Sequence, residues 1–128
     1  MKTTNHQYRY REVFYFKQYY LEFFERLKPE VQKKFNWTLQ LIETQPIIPE
    51  KYFKHITNSN GFYEIRVESE SNIFRVFAFF DQNRLIILIN GFKKQSQKTP
   101  VKEIRLAEKI KHEYSHEQKE KINPGKYK

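Results

Sequence analysis

The sequence predicts an α+β fold, a small antiparallel sheet with elements in the order β-α-α-β-β-β-α. Three observations predict it. Three apolar runs between Phe62 and Ile89 are separated only by short turn clusters, two segments before them carry helical spacing, and a third helical segment follows Thr99-Pro100.

The first element is Tyr8 to Phe16, where aromatic, β-branched and arginine residues mix as they do in strands. Next, Tyr20, Phe23, Phe24 and Leu27 follow the i, i+3, i+4, i+7 rule, one face of a short helix. Lys28-Pro29 breaks it, and Pro29 suits the first turn of a second helix because its missing N–H would be unpaired there anyway. Val31, Phe35, Leu39 and Ile42 form that helix's apolar stripe, which ends near Thr44, ahead of Pro46 and Pro49. The pair reads as a helical hairpin packed on a sheet.

Residues Thr57 to Gly61 form a turn cluster. Beyond it Tyr63, Ile65 and Val67 alternate with Glu64, Arg66 and Glu68, a strand with one buried and one wet face. A turn at Glu70-Ser71-Asn72 leads to Ile73–Phe80, apolar on both faces except for Arg75. Asp81-Gln82-Asn83 turns into Leu85–Ile89, a continuous apolar run that reads as a central strand closed by Asn90-Gly91. Connections this short require antiparallel neighbours, so the three strands form a meander. A basic linker, Phe92 to Lys98, then reaches Thr99-Pro100, a cap and first turn for a helix carrying Ile104, Ala107, Ile110 and Tyr114. The expected organisation is one domain over residues 1–115, with a polar, disordered tail over 116–128.

Composition narrows the function. A formal net charge of +9 favours a polyanionic partner, since each phosphate contact releases condensed counterions, although the same excess also serves solubility. The absence of cysteine excludes disulfides, thiolate metal sites and a cysteine nucleophile. The polar start, Met1 to Arg11, has no apolar core of a secretory signal, and no run approaches a membrane span, so a cytoplasmic protein is expected. His112 and His116 would share a helix face but lack a third ligand, so no metal site is expected. Three glycines, Gly61, Gly91 and Gly125, cannot build a phosphate-cradling loop.

The basic residues carry the chemistry that remains. Arg75 is the lone charge in its strand and needs either a partner or a wet cleft. One reading is a cross-strand ion pair with Glu64 or Glu68; the other is a functional role. Lys93, Lys94, Lys98 and Lys102 lie in a stretch without acids, either a solvated loop or a phosphate-binding wall. Lys54 and His55 precede the meander, with His55 a minor candidate general base. Phe77 and Phe79 read as strand core rather than as a stacking surface for bases.

Three stretches carry a resemblance: Gly61-Phe-Tyr-Glu-Ile-Arg-Val67, Asn72-Ile-Phe-Arg-Val-Phe-Ala-Phe-Phe-Asp81 and Ile89-Asn-Gly-Phe-Lys-Lys-Gln-Ser-Gln-Lys-Thr-Pro100. In order and spacing they resemble the phage-derived, HigB-like branch of the RelE/ParE toxin superfamily, over roughly residues 10–115. The resemblance implies a RelE-like, microbial ribonuclease-like fold and the toxin of a type II toxin–antitoxin pair. It implies an mRNA endonuclease acting at the ribosome, in which basic side chains help the RNA 2′-hydroxyl attack the adjacent phosphate, with neither metal nor small-molecule cofactor. Carried across, Arg66, Arg75 and Lys93 are the catalytic candidates, and Lys94, Lys98, Lys54 and His55 the RNA-binding ones. Glu64 departs from relatives that place a basic residue there. The implied partners are the ribosome, mRNA and a helix-turn-helix antitoxin docking on exposed apolar positions of the early helices. The alternative is a non-catalytic, ParE-like inhibitor of DNA gyrase, a branch expected to lack this basic set.

Overall fold

A computed structural model describes residues 8–94 and 98–118 and the backbone of 125–126. The elements run β1 (Glu12–Tyr15), α1 (Tyr19–Glu25), α2 (Pro29–Thr44), β2 (Phe53–His55), β3 (Phe62–Ser69), β4 (Asn72–Asp81), β5 (Leu85–Lys93), α3 (Val101–Gln118) and β6 (Gly125–Lys126). The six strands form one sheet in the order β2-β3-β4-β5-β1-β6. The α+β class, the helical hairpin, the β3-β4-β5 meander and the final helix are as expected.

The differences have physical reasons. The sheet is mixed rather than purely antiparallel, because β1 pairs parallel with β5, Glu12 opposite Leu85 through Tyr15 opposite Leu88. Parallel neighbours need a long crossover, and everything from α1 to β4 intervenes between these two strands. β2, absent from the expected order, adds to the free edge of β3 by setting Phe53 opposite Ile65. β5 runs past Asn90-Gly91 to Lys93 instead of stopping there. Gly91 is needed as a bare backbone position, not as a turn: a Cβ there would meet the Phe23 ring at 2.5 Å, so the missing side chain lets α1 lie against the strand.

Period-two alternation divides the core between two faces of the sheet. On one face Val76, Ala78, Ile86 and Leu88 pack against Tyr20 of α1 and Val31, Phe35, Leu39 and Ile42 of α2. On the other, Phe77, Phe79, Ile87 and Ile89 pack against Ala107, Ile110 and Tyr114 of α3. This explains the unbroken apolar runs of β4 and β5: both faces are covered. Phe77 and Phe79 belong to this core.

Local chemistry sets the joints. The Arg11 guanidinium donates to the carbonyls of Ile42, Gln45 and Pro46 at 3.0, 2.8 and 2.9 Å, satisfying acceptors that the end of α2 leaves open. Inside α2, buried Glu43 accepts from the Val13 amide at 2.9 Å, fixing β1 to the helix. The β3–β4 turn places Glu70 and Ser71 at φ 51° and 68°, the left-handed conformations that match the twist of a tight hairpin. Helix α3 extends to Gln118, beyond the boundary expected at 115, and Gly125–Lys126 pairs with β1. Residues 119–124 and 127–128 of the expected tail, residues 1–7 and residues 95–97 of the basic linker lie outside the described residues. Among the described residues, no helix is long and apolar enough to cross a membrane.

Candidate functional site

The site forms where β3, β4 and β5 end, on the face that carries α3. Register brings the arginines together: Arg66 of β3 stands directly opposite Arg75 of β4, and Arg75 stands opposite Phe92 of β5. Two guanidinium groups side by side repel, so each needs a carboxylate or an anion nearby. Arg75 is 4 % exposed and its Nη1 donates to Glu64 Oε1 and to the Thr99 hydroxyl, each at 2.9 Å. Arg66, with its side chain 30 % exposed, pairs with Glu68 at 3.0 Å. The cross-strand ion pair is therefore present. Glu64, on the face expected to be wet, is buried beside Arg75.

Both arginines keep a buried Nε–H without a hydrogen-bond partner among the described residues. A buried donor left unmade is costly, which is a property of sites built for a further acceptor. Burial, followed by Arg66, pushes the Arg75 pKa down, and Glu64 opposes that shift. The group stays charged because arginine does not lose its proton in proteins.

Lys94 completes the cluster. Its amide donates to the Ile73 carbonyl at 2.7 Å, anchoring it to the start of β4. Burial lowers its pKa first, then the charges of Arg75 and Arg66, with Glu64 opposing and Lys54 adding to the depression. One half-buried amine thus lies within the field of three cations and one carboxylate. Lys54 reaches this side because it is the cross-strand partner of Glu64.

Two other candidates, Lys93 and His55, fall elsewhere. Lys93 pairs with Phe74 and faces the α1–α2 side, where it lines a recess with Arg26, Lys28, Glu30 and Glu70. His55 pairs with Tyr63 and packs edge-on to its ring at 5.2 Å, also away from the arginines. Lys98 is exposed just before Thr99. Thr99, expected as a helix cap, spends its hydroxyl on Arg75. Among the described residues, no three histidine, cysteine or acidic side chains converge on a metal-sized site.

Sequence reasoning missed a second feature around the edge of β3. A cavity of about 360 Å³ is lined by Lys34, Trp37 and Thr38 of α2, by Lys51 and Tyr52, and by Arg66, Val67 and Glu68. The signal was Trp37, a large apolar residue off the Val31-Phe35-Leu39-Ile42 stripe and 54 % exposed.

Fold and site together define a small α+β protein with a cationic cluster at one end of its sheet. The chain belongs to the family of phage-derived Gp49-like proteins, whose profile matches residues 22–112, a RelE/HigB-like toxin family as the three motifs implied. No curated protein matches the sequence. Among solved structures, it is similar to the free state of a double arginine-to-alanine mutant of the E. coli toxin RelE, with TM-score 0.49 and 15% identity over 65% of this chain and 81% of that one.

Proposed function

We propose that this chain is the toxin of a type II toxin–antitoxin pair, a metal-independent endoribonuclease that cuts mRNA at the ribosome in the cytoplasm and is neutralised by a helix-turn-helix antitoxin. The observation that carries this reading is the gathering of Arg66, Arg75, Lys94 and Lys54 on one face of the sheet, with Lys94 held below its ordinary pKa.

In this reading the RNA 2′-oxygen attacks the adjacent phosphorus, the bond from phosphorus to the 5′-oxygen breaks, and a 2′,3′-cyclic phosphate forms. Lys94, as a neutral amine, takes the 2′-hydroxyl proton, and water supplies the proton to the departing 5′-oxygen. Arg66, the more open guanidinium, binds the charge that develops on the phosphoryl oxygens. Arg75 acts from beneath as a positioning residue, since its side chain is 5 % exposed and already engaged by Glu64. Lys93, on the opposite face, has no part in the chemistry.

Primer extension on ribosome-bound mRNA tests the assignment. Arg66→Ala is expected to lower cleavage by about 10²- to 10³-fold, the usual loss on removing one preorganised donor to a developing oxyanion. Undiminished cleavage by Arg66→Ala would overturn it. Assaying gyrase supercoiling on the same induced cells separates the non-catalytic alternative, in which supercoiling changes while transcripts stay intact.

A further inference from the structure

We propose that the groove between α2 and the edge of β3 is a nucleobase subsite, in which an unpaired RNA base next to the scissile phosphate stacks on Trp37 with Tyr52 at its side. The proposal rests on the RNA-binding reading above and names where the strand goes after it leaves Arg66.

The geometry makes a stacking platform. Trp37 and Tyr52 stand edge to face, with centroids 5.4 Å apart and planes at 72°. Tyr52 is fixed through its backbone: its amide donates to the Pro49 carbonyl at 3.0 Å and its carbonyl accepts from the Arg66 amide at 3.0 Å. One ring can thus offer its face to a base while the other walls the side. A flat, exposed indole at the rim of a cavity is poor surface for water and good surface for a base, because every base has a π-face to offer.

Charge selects the occupant. Lys34, Lys51 and Arg66 line the groove against a single carboxylate, Glu68, which Arg66 already engages at 3.0 Å. The Lys51 ammonium lies over the Tyr52 ring, 5.0 Å from its centre, so it occupies that face of the tyrosine and leaves the indole of Trp37 as the open one. Lys34 donates to the Glu68 carbonyl at 2.9 Å and so stands at the β3 end of the groove. Aromatic faces interleaved with cations are the composition of single-strand nucleic-acid sites. Arg66 belongs to both the groove and the cationic cluster, so a chain with a phosphate at Arg66 has its neighbouring base within reach of Trp37.

Trp37 is the sole tryptophan of the chain, so intrinsic tryptophan fluorescence reports this groove alone. The test titrates the full-length chain with a short 2′-O-methylated oligoadenylate, which cannot be cut, reading tryptophan emission and the anisotropy of a dye on the oligonucleotide. Saturable quenching in step with anisotropy is expected, with Trp37→Ala weakening binding about tenfold and Trp37→Phe restoring most of it. Circular dichroism confirms that both variants fold, as an exposed position allows. Binding without quenching and undiminished in Trp37→Ala would overturn the subsite while leaving the RNA reading intact, which Arg66→Ala checks separately. No binding by the wild type would overturn the subsite, while primer extension on ribosome-bound mRNA decides the RNA reading.

Discussion

Lys93 and Lys94 are neighbours in sequence and point to opposite faces of the sheet, one into the field of two arginines and one away from it. The basic stretch was legible as a candidate wall of a phosphate site; which lysine faces the arginines was not. That depends on where β5 ends and on the register shift between Val76 and Ala78, neither of which composition reveals. Arg75 and Glu64 were legible as a possible pair because they are charges of adjacent strands, but their depth of burial was not, since it goes with Thr99, 24 residues further on, closing on Arg75. Since burial and then Arg75 and Arg66 pull the Lys94 pKa down, its neutral amine becomes available at lower pH than a free lysine's. If it is the base, single-turnover cleavage rises with pH through that depressed pKa. In Lys94→Arg the rising limb should disappear, and in Lys93→Ala it should remain. An unchanged profile in Lys94→Arg would remove Lys94 from the proton transfer.

At the scale of elements, the hairpin α1–α2 and the meander were readable because their signals are local: apolar residues at helical spacing, alternation, and turns that accept left-handed backbone. β2 was not, because three residues carry no periodicity and form a strand only once Phe53 finds Ile65. The segment between β1 and α1 is held by a contact far more distant in sequence. Lys17 donates to Glu113 of α3 at 2.6 Å and also pairs with Glu117, while the Tyr19 hydroxyl donates to Glu113 at 2.8 Å. These bonds, Lys17's first, hold the Glu113 carboxyl below its ordinary range despite some burial. Its contribution to stability is complete above the unfolded pKa, about 4.3 for glutamate, and is lost as pH falls through the lower folded value. Urea midpoints measured from neutral to acid pH should therefore fall less steeply for Glu113→Gln than for the wild type in that window. Parallel curves would show that the contact contributes nothing.

At the scale of the whole molecule, the formal charge of +9 pointed to a polyanion before any element was placed. The fold converts part of that excess into a local field by setting Arg66, Arg75, Lys94 and Lys54 at one end of one face. Single-stranded RNA binding should weaken with salt, log K falling against log salt with a slope of about −0.7 per phosphate neutralised. Arg66→Ala should make that slope shallower by about one such unit, whereas Lys93→Ala should leave it unchanged. Equal slopes in Arg66→Ala and the wild type would place the phosphate contacts elsewhere.

The sheet ends in a strand of three residues on one side and of two on the other. Beyond β2 the edge of β3 is crossed by Lys34, whose ammonium takes the Glu68 carbonyl that a foreign strand would need. An edge so short and so charged offers few hydrogen bonds to an incoming strand, and the net charge repels a second copy before contact. The folded sheet thus gives a foreign strand little edge to extend at β2 and β3. The hazard lies in the unfolded chain, where Ile73–Phe80 and Leu85–Ile89 are open along their whole length.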